Sequence, residues 1–283
     1  MSTLPGPRAP GRLDPRLAAQ LRLGLFWTLV VLILLYLTIP AIVVIVTSFS
    51  PTQLIRFPPS GFSLKWYVHA FGYPDFQSGF LNSLIVTFFA STLALVVGSA
   101  LAYLIDRHRF RGRAVLEAVL AAPLVVPYFT TGFGFLLLGV SLGIQQSYAI
   151  VVVTLTVLVL PFVTRSVYVS LRNLDPNFER AAANLGAPPG RVFVRITVPL
   201  LLPGLIGGWL IAAILAFTEF TASLFVTDAR TQTLPVAMYN YIREYTDPSI
   251  AAISAILIVG TMVIMFVADR YVGLDRILSI DAH

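Results

Sequence analysis

The sequence predicts an all-α membrane protein with six transmembrane helices and both termini on the cytoplasmic side. Three observations predict it. Only 11% of the 283 residues are charged and 57% are hydrophobic, whereas soluble domains carry roughly 25% charged residues. Polar material is too scarce to coat a water-facing globule of this size. The apolar residues also gather into six long runs, each near the ~20 residues that a helix needs to cross the hydrocarbon core. Backbone groups in lipid must be satisfied within their own segment, which makes such runs helices. Finally, arginines collect on one side of the runs, the asymmetry that orients membrane proteins.

The elements follow in order. Residues 1–22 are rich in Pro, Gly and Arg and are expected to be a largely disordered cytoplasmic segment. Residues 23–49 form the first span. Their apolar run exceeds the about 7–15 residues of a signal-peptide core, so the helix is expected to be retained. Residues 50–79 make a periplasmic loop carrying Phe57, Trp66, Tyr67 and Tyr73. Such aromatics fit an interfacial belt with short helices lying on the membrane, or a surface that meets an external partner. Residues 80–271 form the core, with spans at 80–105, 118–142, 144–164, 200–226 and 250–268. The tail, 272–283, is cytoplasmic. Pro123, Pro127 and Pro161 can kink their spans or be absorbed as packing irregularities. Gly204, Gly207 and Gly208 allow close helix approach.

Arginine positions set the orientation. Arg8, Arg12, Arg16 and Arg22 precede the first span, and Arg107, Arg109, Arg111 and Arg113 lie between the second and third. Arg165, Arg172, Arg180, Arg191 and Arg195 lie between the fourth and fifth, and Arg270 and Arg276 follow the sixth. The opposite side has only Arg56, Lys65, Arg230 and Arg243. The net charge of +6 is therefore read as topological, with no nucleic-acid partner.

The chain contains no cysteine, which excludes disulfides and thiolate metal sites. His69, His108 and His283 are too scattered for a metal motif. No G-x-x-x-x-G-K-[ST] occurs, so energy is expected from another polypeptide and no cofactor from this chain.

The segment between the fourth and fifth spans, 172–199, is the most informative. Asp175 before Pro176 is a helix start: the side chain accepts from free N–H groups, and Pro suits the first helical position. Phe178, Ala181, Ala182 and Leu185 recur on one apolar face. Gly186 ends the helix in a left-handed conformation. Pro188 and Pro189 start a second short helix with Phe193 and Ile196 one turn apart, and Pro199 marks the return to the membrane. Two short helices joined at a glycine fit either a surface hairpin or a docking element for a cytosolic partner.

This segment resembles the EAA motif of permease subunits of binding-protein-dependent type I ABC importers, the MetI-like family. The motif reads Glu-Ala-Ala, three residues, Gly, nine residues, Ile-x-Leu-Pro. Aligned on Gly186, the chain has Arg180, Ala181, Ala182, Gly186, Ile196, Val198 and Pro199. Arg180 replaces the motif's Glu and Val198 its Leu; Glu179 stands next to the lost acid and is expected to replace it in part. The resemblance implies a coupling loop of Glu179, Arg180, Ala181, Ala182, Leu185, Gly186, Ile196 and Pro199. It also implies two ATPase subunits that bind ATP and Mg, a second permease (a related chain or a second copy), and a periplasmic or lipid-anchored binding protein. Asn82-Ser83, Ala102-Tyr103 and the run Arg107 to Arg113 resemble the family core. The segments Phe217 to Thr227 and Thr233 to Tyr239 are similar to the spermidine/putrescine branch, which implies a polyamine substrate; iron(III), thiamine and 2-aminoethylphosphonate are the alternatives within the branch.

Glu219 is the one carboxylate well inside a span, and charges there are expensive. At 1.5 Å per residue from Leu200 it lies roughly 28 Å along the helix, near the outer boundary. With Thr218 and Ser223 it is a candidate for the substrate pathway or an outer gate; a carboxylate reaching water or pairing with a neighbouring helix is the other reading. Tyr239, Tyr241 and Tyr245 are expected at the interface. An ion-coupled secondary transporter or channel is the competing class, but such proteins place coupling carboxylates near the midplane, often in paired halves. No constellation of catalytic residues supports an enzyme.

Overall fold

The computed structural model describes residues 15–54 and 56–272. Most of the expected N-terminal segment and cytoplasmic tail, with Arg8, Arg12 and Arg276, lies outside the described residues. The described residues are helical, without strands. In order they are α1 (Pro15–Thr47), α2 (Lys65–Gly72), α3 (Pro74–Arg107), α4 (Arg113–Val125), α5 (Tyr128–Ser141) and α6 (Tyr148–Asn173). Then follow α7 (Asn177–Asn184), α8 (Pro189–Val192), a π-helical turn (Phe193–Thr197), α9 (Val198–Thr218), α10 (Ser223–Val226), α11 (Leu234–Glu244) and α12 (Ser249–Val272). Among them, five helices are each long and apolar enough to cross a membrane, or six if α4 and α5 form one bent span.

Several boundaries depart from expectation, among them that of α6, which runs on to Asn173 beyond the expected end at 164. α1 reaches back to Pro15, and α3 begins at Pro74, inside the expected 50–79 loop, because Tyr73 is extended and Pro74 takes a first-turn position. The expected third span is broken: α4 and α5 meet at 106°. Val126 has ψ of 128° ahead of Pro127, the extended conformation that a following proline imposes. Pro123 and Pro161 stay inside helices, so Pro127 alone of the three breaks its span. The fifth span ends at Thr218, where Glu219 turns extended with ψ of 123°.

α3, α6 and α9 form the centre. Val86, Ala90, Ala94, Gly98 and Ala102 recur every fourth residue on α3 and are buried. Small residues at this spacing let the helix backbones approach, the chief source of packing energy when lipid is as apolar as the side chains. A Cβ at Gly98 would lie 3.1 Å from Val163 Cγ1 of α6. A Cβ at Gly204 of α9 would lie 2.6 Å from Ser170 Cβ of α6, and Ser166 Oγ donates to the Gly204 carbonyl at 3.0 Å. Gly204 and Gly208 are thus notches for Ser166 and Ser170.

Contacts fix the two ends of the bundle. Arg107 at the end of α3 pairs with Glu179 of α7, and Tyr103 meets Phe193 edge-on. The segment 172–199 therefore caps the end where α3 and α6 finish. At the opposite end, Asn82 of α3 holds the carbonyls of Arg230 and Gln232, and Tyr148 OH donates to Asn82 Oδ1 at 2.6 Å. α2 lies at this second end: its Tyr67 hydroxyl is 2.6 Å from Ser48 Oγ just past α1, and its His69 Nδ1 is 3.1 Å from Ser249 Oγ of α12.

An aromatic cluster secures the second end. Tyr241 is buried, a core residue and not an interfacial one, and packs on Tyr73, Phe76 and Tyr245. Its hydroxyl donates to Asp247 at 2.7 Å, while Asp247 also accepts from the Ser249 N–H and so caps α12. Burial and the bond to Asp247 push the Tyr241 phenol up to about 12. Burial acts to raise the Asp247 carboxyl, but the donors Ser249 and Tyr241 outweigh it and hold the group below its ordinary value. A carboxylate lowered in the folded state contributes stability that is complete above its unfolded value and fades as pH falls through the folded one. Thermal stability of the purified protein should therefore decline below about pH 4. D247N should lower stability at neutral pH and flatten that decline; a decline as steep as in the parent protein would exclude Asp247 as its origin.

Candidate functional site

Two places combine function-bearing residue types with unusual backbone geometry. The first is the 172–199 segment. The Asp175 carboxylate accepts from the Asn177 N–H at 2.9 Å, which caps α7. At its other end Gly186 has φ of +82°. The Gly186 N–H donates to the Ala183 carbonyl at 2.9 Å, and the Ala187 N–H to the Ala182 carbonyl at 3.1 Å. This pair of bonds is the Schellman arrangement, with glycine in the left-handed position it requires.

α7 buries none of its residues. Phe178 is 55% exposed and Leu185 89% exposed, and Arg180 and Ala181 are exposed beside them. The apolar stripe therefore faces away from the bundle. Ala182 and Glu179 are half-buried on the inner side. Glu179 does not stand in for a surface acid: its Oε1 accepts from Thr197 Oγ1 at 2.7 Å, and its Oε2 lies 2.9 Å from Arg107 Nη2. A shift of one residue along a helix turns a side chain by about 100°. That rotation carries the acid from the outer face, held here by Arg180, to the inner one.

The second short helix is also not separate. α8 runs through the π turn into α9 as one continuous helix from Pro189 to Thr218. Pro199 does not end it. A proline in a helix clashes with the carbonyl four residues earlier. The wider π turn directly ahead of Pro199, closed by the Val198 N–H to the Phe193 carbonyl, relieves that clash. Ile196 is half-buried, Pro199 exposed and Thr197 buried.

The second place is the break after α9. Glu219 is 8% exposed. Its Oε1 accepts from the Ala222 N–H at 2.7 Å, and its Oε2 from the Ser223 N–H and Oγ, both at 2.9 Å. The carboxylate thus closes the turn 219–222 and starts α10. Ser223 is fully buried and serves this cap, whereas Thr218 is exposed and donates to the Ile214 carbonyl at 2.8 Å. Thr218, Glu219 and Thr221 line a pocket of about 270 Å³ with Tyr128, Leu158 and Phe162. α5 presses on the turn: a Cβ at Gly132 would lie 2.6 Å from Ala222 Cα.

Asn82 and Ser83 gain a role that composition does not convey. Besides the Asn82 bonds, the Ser83 Oγ accepts from the Leu234 N–H at 2.8 Å. These two polar residues, about two turns into an apolar helix, pin the 230–234 segment that follows the break. The signal in the sequence is their placement, polar side chains where a lipid-facing helix has no use for them.

The profile of the family described as binding-protein-dependent transport system inner membrane component matches residues 94–274. The chain is 30% identical to the spermidine/putrescine transport system permease protein PotC of Escherichia coli K12 over 85% of its length and 90% of the relative's. It is 30% identical to the putrescine transport system permease protein PotI of the same organism over 86% of its length and 89% of the relative's. The molybdenum transport system permease protein ModB, also from Escherichia coli K12, is 33% identical over 71% of this chain and 94% of the relative's. Among solved structures, a bacterial ABC transporter that imports the acidic polysaccharide alginate superposes with a TM-score of 0.67 at 16% identity, over 92% of this chain and 99% of that one. The MetNI methionine ABC transporter, in inward-facing form, matches with a TM-score of 0.57 at 21% identity, over 69% and 94% of the two chains.

Proposed function

The chain belongs to the family of binding-protein-dependent transport system inner membrane components, the MetI-like permeases of ABC importers, and from that premise we propose that it imports polyamines across the bacterial inner membrane. In this reading both termini and the 172–199 segment are cytoplasmic, and the end holding Asn82 and α11 is periplasmic. The arginine asymmetry supports that orientation.

The observation that carries the ATP-driven mechanism is the exposed stripe of α7. A short helix, capped at both ends, that turns Phe178 and Leu185 outward at the arginine-rich end is built to enter a groove of another protein. We assign that groove to the ATPase subunits, which bind ATP and Mg. A second permease completes the pathway between the two membrane subunits, and a binding protein delivers substrate at the opposite end. ATP binding closes the ATPases, and α7 passes the movement to the spans. The turn at Glu219 forms an outer gate with Thr218 and Ser223. The polyamine permeases match 85–86% of the chain, more than the molybdenum permease's 71%, and the buried anionic Glu219 at the pocket favours a cationic cargo.

The test is uptake by proteoliposomes that contain this permease, its companion permease, the ATPase subunits and the binding protein. Spermidine or putrescine should accumulate only with internal ATP. Uptake that persists without the ATPase and follows an ion gradient would overturn the reading in favour of a secondary transporter.

A further inference from the structure

α7 poses a mechanical problem that rests on the coupling role proposed above. A helix of eight residues that buries no side chain has little packing through which to push on a bundle. Something other than apolar contact must carry its movement inward. The chain directly attached to α7 is a weak candidate. It leaves the helix through the Gly186 turn, whose two hydrogen bonds fold back onto α7 itself and not onto the bundle.

We propose that Glu179, Arg107 and Thr197 are positioning residues for energy coupling, a bridge through which movement of α7 reaches α3 and α9 together. Both oxygens of the one carboxylate are engaged, and by different helices. Oε1 takes the Thr197 hydroxyl at 2.7 Å, and Oε2 lies 2.9 Å from Arg107 Nη2. Arg107 is the last residue of α3, and Thr197 belongs to the π turn that leads into α9. Thr197 is 1% exposed, and the Glu179 and Arg107 side chains are 22% and 21% exposed. The contacts are therefore shielded from water in part, and ionic strength screens them less than an open surface pair.

The electrostatics make the bridge sensitive to position. Asp106, with a side chain only 6% exposed, lies 3.5 Å from Arg107 Nε. Two carboxylates thus share one guanidinium. The buried Arg107 Nε and Nη2 meet no acceptor in hydrogen-bond alignment, so charge and not directed bonding holds this contact. A small rotation of α7 changes how Arg107 divides between Asp106 and Glu179. The π turn supplies the give on the α9 side, as such turns do at functional hinges.

The far ends of the two gripped helices explain the value of this arrangement. α9 ends at Thr218, beside the Glu219 turn. Toward its other end, about two turns in from Pro74, α3 carries Asn82 and Ser83, which hold the 230–234 segment after that turn. One carboxylate at the α7 end therefore holds both rods that frame the gate region at the other. This also accounts for the motif's altered acid. With Arg180 on the outer face, docking does without the Glu, and the acid one position earlier serves the bundle.

The test uses the complete reconstituted complex and reads ATP hydrolysed per polyamine delivered. E179Q, R107Q and T197V should each raise that ratio, E179Q and R107Q by about fivefold or more. E179Q/R107Q should be no worse than either single change, because groups that act as a unit are not additive. R107K, which keeps the charge, should recover much of the coupling and guards against a folding defect in R107Q. As a readout independent of transport, spin labels on cysteines introduced at Asn184 and Arg109 in this cysteine-free chain should report a broader distance distribution in E179Q. Single and double losses that simply add, or an unchanged ratio in E179Q, would overturn the bridge. Loss of ATPase co-purification in E179Q but not in R107Q would instead place Glu179 at the partner surface. Absence of ATP-dependent uptake by the parent complex would sink the importer reading on which the bridge rests, whatever the variants do.

Discussion

Valine at Gly186 is expected to uncouple ATP hydrolysis from transport, cutting substrate moved per ATP by about 5–30-fold. The cause is backbone conformation alone. Gly186 has φ of +82°, and a Cβ there would meet nothing within 4 Å. Space is free, so only the cost of the left-handed conformation acts, about 1–2 kcal/mol for an L-residue, and most severe for a β-branched one. Relief of that strain would break the two bonds that close the turn, from Gly186 to Ala183 and from Ala187 to Ala182. α7 would then present Phe178 and Leu185 at the wrong angle. Asparagine tolerates the left-handed region, so G186N should retain most of the coupling. Uptake and ATPase activity in the same proteoliposomes decide the matter. Coupling in G186V equal to the parent's would remove the turn from the mechanism, and equal losses in G186N and G186V would show that side-chain bulk at the docking surface, not backbone, is responsible.

At Glu219, two substitutions should separate structure from charge. E219A leaves the Ala222 and Ser223 N–H groups without their acceptor in a buried turn. Each unpaired buried donor costs about 1–3 kcal/mol, so the variant should assemble poorly and melt at a lower temperature. E219Q keeps a carbonyl acceptor but loses the charge. Its other position becomes an amide from which the Ser223 hydroxyl can accept, but which leaves the Ser223 N–H unpaired, about half of the loss in E219A. A carboxylate and an ammonium at about 4 Å attract by about 4 kcal/mol at an effective dielectric near 20, and every 1.4 kcal/mol is about tenfold. E219Q should therefore assemble yet carry polyamine at least about tenfold more slowly. Polyamine transport by E219Q at the parent rate would leave Glu219 as a cap and nothing more.

Proline shows where reading along the chain succeeds and where it stops. Pro123, Pro127, Pro161 and Pro203 all fall within apolar runs. Three remain inside helices, and one turns its span by 106°. The residue type is the same, and the neighbours differ. α5 leaves Pro127 to press Gly132 onto Ala222, a contact between segments far apart in sequence that no local pattern announces. Pro199 marks the return to the membrane in the sequence, and the structure makes that return without a break, because a π turn absorbs the proline. In the loop, the cap at Asp175 and the left-handed Gly186 were legible because both are local geometry. The inward turn of Glu179 was not, because its partners stand at Arg107 and Thr197.

The sequence by itself determined that this chain lives in lipid, how many apolar segments it offers, and which end gathers the arginines. These follow from composition and run length, since lipid demands that each segment satisfy its own backbone. The tertiary structure decided that the third span is bent, that the fifth stops at Thr218, that Glu219 caps a turn, and that Glu179 joins α7 to α3 and α9. Those outcomes depend on which distant side chains meet. A carboxylate in a low-dielectric bundle goes where donors and cations await it, and only the packed helices say where that is.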